Sequence, residues 1–245
     1  MYKFIMPHAI LNKINVHTLS PQTSVNIWYC SIPQIIESIV CKGRYHNFQP
    51  MVNEIFQKDD FIKPFFSLDE INKINGFKAL KKQIEWISGR FLIKHMVQHV
   101  FAPKTPVENI TISYLEEGAP YIAQFPDIPL SLSHAHDFTI AAFCTNPVKT
   151  IGIDIEKISG KPDNAFLNTA FTQNEIKHLQ TDPESIFKNW TIKEAYLKYI
   201  KKGFNESLHT VEVINNDVYH YGEKTHVDVY STRINNNYIV SLVSD

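Results

Sequence analysis

Three groups of polar residues in this 245-residue chain sit where an ordinary core or surface pattern would not put them. In Ile151-Gly152-Ile153-Asp154-Ile155-Glu156, strand alternation sends the three isoleucines to one face and Gly152, Asp154 and Glu156 to the other. Two carboxylates one residue apart on a strand face lie about 6.5–7 Å apart at Cα. Their oxygens can converge on one cation, and such like charges are unfavourable without one. An all-oxygen pair suits Mg²⁺, which takes one or two carboxylates and completes its shell with substrate phosphates. Gly152 beside them would leave room for a ligand. On spacing alone, D-x-E is a weak motif, and a solvent-facing strand carrying two harmless charges is the favoured reading.

The second group is helical. An apolar stripe runs from Phe187 and Trp190 to Leu197, and Glu194 falls on its inward arc, four residues after Trp190. A carboxylate there needs a cation, a hydrogen-bond network or a raised pKa. Lys198, four residues further on, offers the plain alternative of a helix-surface ion pair worth about 0.3–0.5 kcal/mol. The third group is Leu132-Ser133-His134-Ala135-His136-Asp137 at a strand end. Ser, His and Asp together invite a hydrolase reading, but no G-x-S-x-G elbow or strand-to-helix turn accompanies them. A histidine at such a strand end suits hydrogen bonding or phosphate contact.

The surrounding elements follow from periodicity. Leu80, Ile84, Ile87 and Phe91 recur at helical steps, with Lys81, Lys82 and Glu85 off the stripe, which predicts a helix from near Phe77 to His99, closed off by Pro103. Val25–Ile32, Asn109–Leu115, Leu130–Ser133, Phe138–Cys144 and Thr150–Glu156 read as strands. Thr172-Gln173-Asn174-Glu175 is a capping box opening one helix. Asp182-Pro183 is an N-cap and first-turn pair opening a longer one, with Gly203 available to end it. The tail alternates through Val211, Val213, Val227, Val229, Ile239 and Val240. Two parts with the same ingredients predict an α+β chain of two lobes, residues 1–148 and 149–245, each with a long helix and antiparallel strands, with the boundary at the Thr145-Asn146-Pro147 turn.

Composition narrows the class. At 44% hydrophobic and 20% charged residues the chain has the makeup of a packed soluble protein rather than a disordered one. The 24 basic residues nearly match the 25 acidic ones, so no basic excess points to nucleic acid. Cys30, Cys41 and Cys144 are few, odd in number and widely spaced, which fits small buried hydrophobes rather than disulfides or a zinc site. No apolar run reaches the ~20 residues of a membrane helix, and the first residues lack a secretion signal's apolar core. The expected compartment is the cytoplasm.

Taken together the groups resemble one family. Gly152-Ile153-Asp154-Ile155-Glu156 and Trp190-Thr191-Ile192-Lys193-Glu194-Ala195-Tyr196-Leu197-Lys198 resemble the two signatures of 4′-phosphopantetheinyl transferases, G-[IV]-D-[IV]-E and W-x-x-K-E-[AS]-x-x-K. Phe171, Thr172 and Glu175 match the Phe-Thr-x-x-Glu helix start between them. Ser131-Leu132-Ser133-His134 resembles the family's N-x-S-H-S segment, and Trp86-Ile87-Ser88-Gly89-Arg90 its W-x-x-G-R helix. The resemblance spans roughly Lys81 to Leu208, and the length is similar to the surfactin-synthetase-activating, monomeric type.

The resemblance implies a pseudo-twofold monomer that transfers the phosphopantetheine arm of coenzyme A to a serine of an apo acyl or peptidyl carrier protein. Adenosine 3′,5′-bisphosphate is released, and neither nucleic acid nor membrane takes part. It implies that Asp154 and Glu156 hold Mg²⁺, that Glu194 completes the metal shell, acts as the general base for the serine, or does both, and that Lys198 offsets phosphate charge. Arg90 and His134, with Lys81 or Lys82, would contact the nucleotide phosphates, and Lys193 receives no clear role. Two departures stand out: Ala119 in Glu117-Gly118-Ala119-Pro120 replaces a common lysine, and Ala135 replaces the second serine of S-H-S. The alternatives are a catalytically silent coenzyme A or carrier-binding module, and another Mg²⁺-dependent phosphoryl enzyme.

Overall fold

The computed structural model describes residues 14–21, 24–35, 65–146 and 149–245. Cys41 and the N-terminal segment, both assigned from sequence, lie outside these residues, as does Pro147 of the expected boundary turn. The described chain forms two compact units. One comprises residues 14–18, 28–35, 65–112 and 136–139, and the other residues 19–21, 24–27, 113–135, 140–146 and 149–245.

Strands β1 (Val16–Leu19), β2 (Val25–Ser31), β5 (Leu130–Ala135) and β6 (Phe138–Cys144) make a four-stranded sheet of order β1-β2-β6-β5, and β3 (Ile112–Tyr114) pairs with β4 (Pro120–Ile122). In the first unit, α1 (Leu68–Gly76) is followed by α2 (Leu80–Val100), within three residues of the helix expected from the apolar stripe. Phe91, Leu92, Ile93, Met96 and Val97 of α2 are buried, while Lys81 and Lys82 are exposed and Lys81 pairs with Glu85 at 3.7 Å. Cys30 and Cys144 are buried free thiols, as small hydrophobes should be.

The second unit carries β7 (Ile151–Lys157), α3 (Asn164–Ala170), α4 (Gln173–His178) and α5 (Pro183–Tyr199). It continues through β8 (Val211–Ile214), β9 (Asp217–His220), β10 (Glu223–Lys224), β11 (Asp228–Ile234) and β12 (Tyr238–Ser244). Two antiparallel sheets result, β10-β9-β8 and β11-β12-β7, the last pair in a register that sets Ser241 opposite Asp154. Helix α5 starts as its sequence requires, with Asp182 accepting from the Ser185 amide and Pro183 in the first turn. Its Ile192, Ala195, Tyr196 and Leu197 pack with Val211, Val213, Val218 and Val243 into one buried cluster.

Helix α5 lies directly on β7, and Gly152 is the reason it can. A Cβ built there would stand 2.0 Å from the Ala195 carbonyl oxygen and 2.4 Å from the Tyr199 amide nitrogen. The space expected for a ligand beside the carboxylates is therefore filled by helix backbone. Gly152 serves close packing, and the strand is buried on both faces rather than half exposed.

Each unit contains the same clasp. In the second, the capping box of α4 joins Thr172 and Glu175, and the Lys193 ammonium, fully buried on α5, donates to Glu175 Oε2 at 2.5 Å and to the Ala170 carbonyl at 2.7 Å, over the Phe171 ring. Glu175 Oε1 also accepts from the Val213 amide, so one carboxylate ties α4, α5 and β8 together. In the first unit, the capping box of α1 joins Ser67 and Glu70. There the fully buried Lys94 of α2 donates to Glu70 Oε2 at 2.6 Å and to the Phe65 carbonyl at 3.1 Å, over the Phe66 ring. In both units the lysine meets the third helical residue's carboxylate and the carbonyl two residues before the N-cap.

Two stability predictions follow. Gly152→Ala forces the α5 backbone off β7 and should cost about 3 kcal/mol or more in urea unfolding; a cost under 1 kcal/mol would mean that the helix approach is not tight. Lys193→Met leaves Glu175 buried without its cation and should cost about 3–5 kcal/mol. Adding Glu175→Gln should recover part of that loss, and a fully additive double variant would refute the pairing.

Candidate active site

Because α5 touches β7, side chains from both converge. On β7, Asp154 is 4% exposed, and its Oδ1 accepts from Lys198 Nζ at 2.7 Å and from Ser133 Oγ, on β5, at 2.7 Å. Lys198 Nζ also donates to Ser133 Oγ at 2.8 Å, closing a three-membered ring. Lys198 thus pairs with Asp154 across elements rather than with Glu194 along its own helix. Glu156, next on the same face, accepts from the Trp190 indole at 3.2 Å. The free edge of β7 beside β5 is partly satisfied by Ser131, whose hydroxyl accepts from the Ile153 amide at 3.0 Å.

Glu194 is 6% exposed. Burial, reinforced by the charge of Asp154, pushes its carboxyl up to about 7, with Lys198 opposing. The same two causes push Glu156 up to about 6. Asp154 Oδ2 and Glu194 Oε1 are buried without a hydrogen-bond partner among the described residues. Such orphaned oxygens cost free energy unless something supplies positive charge or a proton.

A cavity of about 550 Å³ opens within this unit. The segment Glu117 to Tyr121, the stretch Pro126 to Leu132, Lys149 to Ile151, and Glu194, Lys198 and Lys201 form its wall. Ala119 sits there, in the segment where the resemblance places a lysine, and the wall's lysines are Lys149, Lys198 and Lys201. Lys149 donates to the Asp245 carbonyl at 2.6 Å.

Among the described residues no three His, Cys, Asp or Glu side chains are gathered as a ready-made metal centre. The donor chemistry nevertheless fits a hard cation: two buried carboxylate oxygens without partners, from Asp154 and Glu194, in an all-oxygen set, one of them in a cavity wall.

The remaining expected residues lie elsewhere. Arg90, Lys81 and Lys82 belong to the first unit. Arg90 is 2% exposed; its guanidinium stacks 4.3 Å from the Trp86 ring centre, donates to the Ile112 carbonyl at 3.3 Å and lies 3.6 Å from Glu70. His134, half-buried on β5, follows Ser133. The sequence left Lys193 without a role and Ser133 without a partner. The structure places Lys193 in the clasp with Glu175 and Ser133 on Asp154 and Lys198. The spacing of the Phe-Thr-x-x-Glu start and the W-x-x-K-E helix carried the first pairing, whereas the Ser133 contact joins residues 21 and 65 positions apart and left no local signal.

Known proteins match this sequence. The 4′-phosphopantetheinyl transferase superfamily profile matches residues 150–243, the stretch from β7 to β12. The 4′-phosphopantetheinyl transferase psf-1 of Bacillus pumilus is 30% identical over 167 residues, covering 65% of this chain and 69% of that protein. The 4′-phosphopantetheinyl transferase gsp of Aneurinibacillus migulanus is 32% identical over 195 residues, 76% of this chain and 78% of its own. Sfp of Bacillus subtilis strain 168, also named a 4′-phosphopantetheinyl transferase, is 24% identical over 163 residues. With relatives this similar, matched over more than two-thirds of their length, and a family profile that spans both carboxylate-bearing segments, the chain belongs to the 4′-phosphopantetheinyl transferase superfamily.

Proposed function

We propose that this protein transfers the 4′-phosphopantetheine arm of coenzyme A to a serine hydroxyl of an apo acyl or peptidyl carrier protein, releasing adenosine 3′,5′-bisphosphate. The observation that carries the reading is the meeting of Glu194 and Lys198 in one cavity wall, with Asp154 bonded to that lysine. Asp154, Glu156 and Glu194 would hold Mg²⁺. When bound, the cation neutralises the pyrophosphate and the charge that develops on it.

The chain's own residues do the rest. In the transfer, a bond forms between the serine oxygen and the phosphorus bearing the pantetheine arm. The bond from that phosphorus to the bridging oxygen breaks, and the leaving phosphate departs on the nucleotide. The serine proton needs an acceptor, and a carboxyl raised to about 7 by burial is poised to take it at Glu194 near neutral pH. Lys198 keeps an ammonium proton for phosphate oxygens, since among the described residues Asp154 and Ser133 use two of its three. The reading carries nucleotide-phosphate contacts for His134, Arg90, Lys81 and Lys82, a pseudo-twofold monomer, and a cytoplasmic setting. The matching lysine clasps support the pseudo-twofold arrangement.

Intact mass of apo carrier proteins after incubation with the protein, coenzyme A and Mg²⁺ tests the activity. A gain of one phosphopantetheine is expected, and none in EDTA; no gain on any carrier despite coenzyme A binding would make the chain a binding module. Glu194→Gln should lower transfer about 100- to 10,000-fold, and near-parental turnover would exclude Glu194 as the base.

A pH prediction accompanies it. The folded state holds the protons of Glu156 and Glu194 more tightly than the unfolded chain does. Their contribution to stability is therefore full below the ordinary glutamate range and is lost as pH rises through about 6 and about 7. In EDTA the unfolding midpoint should fall between about pH 5 and pH 8, less so in Glu194→Gln, and Mg²⁺ should restore it at the upper end. Equal slopes in parent and variant would contradict the raised carboxyl.

A further inference from the structure

Ser133 is the one hydroxyl in the ring that joins β5, β7 and α5, and its geometry distinguishes two roles. A serine beside a lysine invites comparison with a Ser-Lys nucleophile. Here the hydroxyl proton runs to Asp154 Oδ1 at 2.7 Å, and the oxygen accepts from Lys198 Nζ at 2.8 Å. The lysine donates to both neighbours and accepts nothing, so it is not placed to remove the serine's proton. Ser133 is also 6% exposed, with its hydroxyl engaged on both sides.

What the hydroxyl does is divide the charges. Its partner Asp154 acts by charge on Glu194, as does Glu156, and Lys198 is the cation bonded to Asp154. By donating to Oδ1 and accepting from Lys198, Ser133 keeps the ammonium on one side of Asp154. The other oxygen, Oδ2, is left buried without a partner, as is Glu194 Oε1. Without Ser133, Lys198 loses the acceptor that holds it off those oxygens, and a lysine ammonium is free to span a carboxylate pair.

We propose that Ser133 is a positioning residue that, through Asp154 and Lys198, keeps the carboxylate site open to a divalent cation while leaving one ammonium proton for an anion in the cavity. The proposal rests on the transferase reading for the identity of that cation as Mg²⁺. Partners of metal-binding side chains in other proteins set affinity by about 10–100-fold when removed.

The test is Mg²⁺ binding to the full chain in the absence of coenzyme A, read by calorimetry and by the shift of the unfolding midpoint. Ser133→Ala and Ser133→Cys, the second retaining the volume but not a strong donor, should each weaken Mg²⁺ binding by about 10-fold or more. Ser133→Thr, which keeps the hydroxyl, should bind like the parent. In the mass assay for carrier modification, Ser133→Ala should need proportionally more Mg²⁺ and recover most of its turnover when Mg²⁺ is saturating. Unchanged Mg²⁺ affinity in Ser133→Ala and Ser133→Cys, or a loss in Ser133→Thr equal to theirs, would overturn the proposal. So would a parent that modifies carriers without binding Mg²⁺. A parent that binds Mg²⁺ with the expected serine dependence yet modifies no carrier would instead uphold the positioning role and refute the transferase reading. Should Ser133→Ala fail to fold, the Cys and Thr pair decides the matter alone.

Discussion

The contact between the backbone of α5 and strand β7 at Gly152 is the constraint on which the site depends. With any side chain at residue 152 the helix would have to stand off by the depth of at least a methyl group. Lys198 reaches Asp154 and Ser133 at 2.7 and 2.8 Å only because its helix is that close. The same approach carries Glu194 into the cavity wall and buries it enough to raise its carboxyl. A packing requirement and a chemical one are therefore met by a single residue that has no side chain, two positions before the aspartate it serves.

Helix α5 is held in that place by a charge pair rather than by apolar contact alone. The Lys193–Glu175 clasp is fully buried, and burial alone drives the lysine toward its neutral form, opposed chiefly by Glu175. Buried pairs of this kind contribute little net stability compared with apolar replacements, but they fix geometry, since any shift strands a charge. Glu175 also completes the capping box and receives the Val213 amide, so both of its oxygens are tied to neighbouring elements. The helix that bears Glu194 is registered against α4 and β8 by one carboxylate.

Much of this was legible in the sequence. The α+β class, the α2 and α5 spans, the two N-terminal caps and the antiparallel tail follow from periodicity and cap chemistry, because these are local properties. The carboxylate-bearing segments were legible too, since a glutamate on an apolar helical arc and two acids on one strand face are anomalies within a few residues. Two things were not. Gly152 looked like space for a ligand, because a missing side chain says nothing about what fills the gap. The Ser133 ring was invisible, because its members come from three elements brought together only by the fold. The buried positions of Lys94 and Arg90 were likewise hidden: on a helix otherwise read as amphipathic, long basic residues suggest the solvent side, and only the position of Glu70 in the first unit reverses that.

The two clasps separate folding from chemistry. A lysine on the long helix, the carboxylate at the third position of a capped helix and the carbonyl two residues before the cap recur in both units with the same contacts. A device found in both cannot by itself be what makes a site. One residue after the clasp lysine the units diverge: Lys193 is followed by Glu194, a carboxylate facing a cavity, whereas Lys94 is followed by His95, stacked with Phe91 and His99. A carboxylate at that point makes a place that would draw a cation, whereas the histidine ring in the other unit joins aromatic packing. The lysine five residues after the clasp lysine in the second unit, Lys198, then has Asp154 to meet. In the first unit the residue at the same spacing from Lys94 is His99, in an aromatic group with Trp28 and His95. The clasp is thus common to both units, and the Lys198–Asp154 pair and Glu194 lie in one of them, on the two sides of the α5–β7 contact.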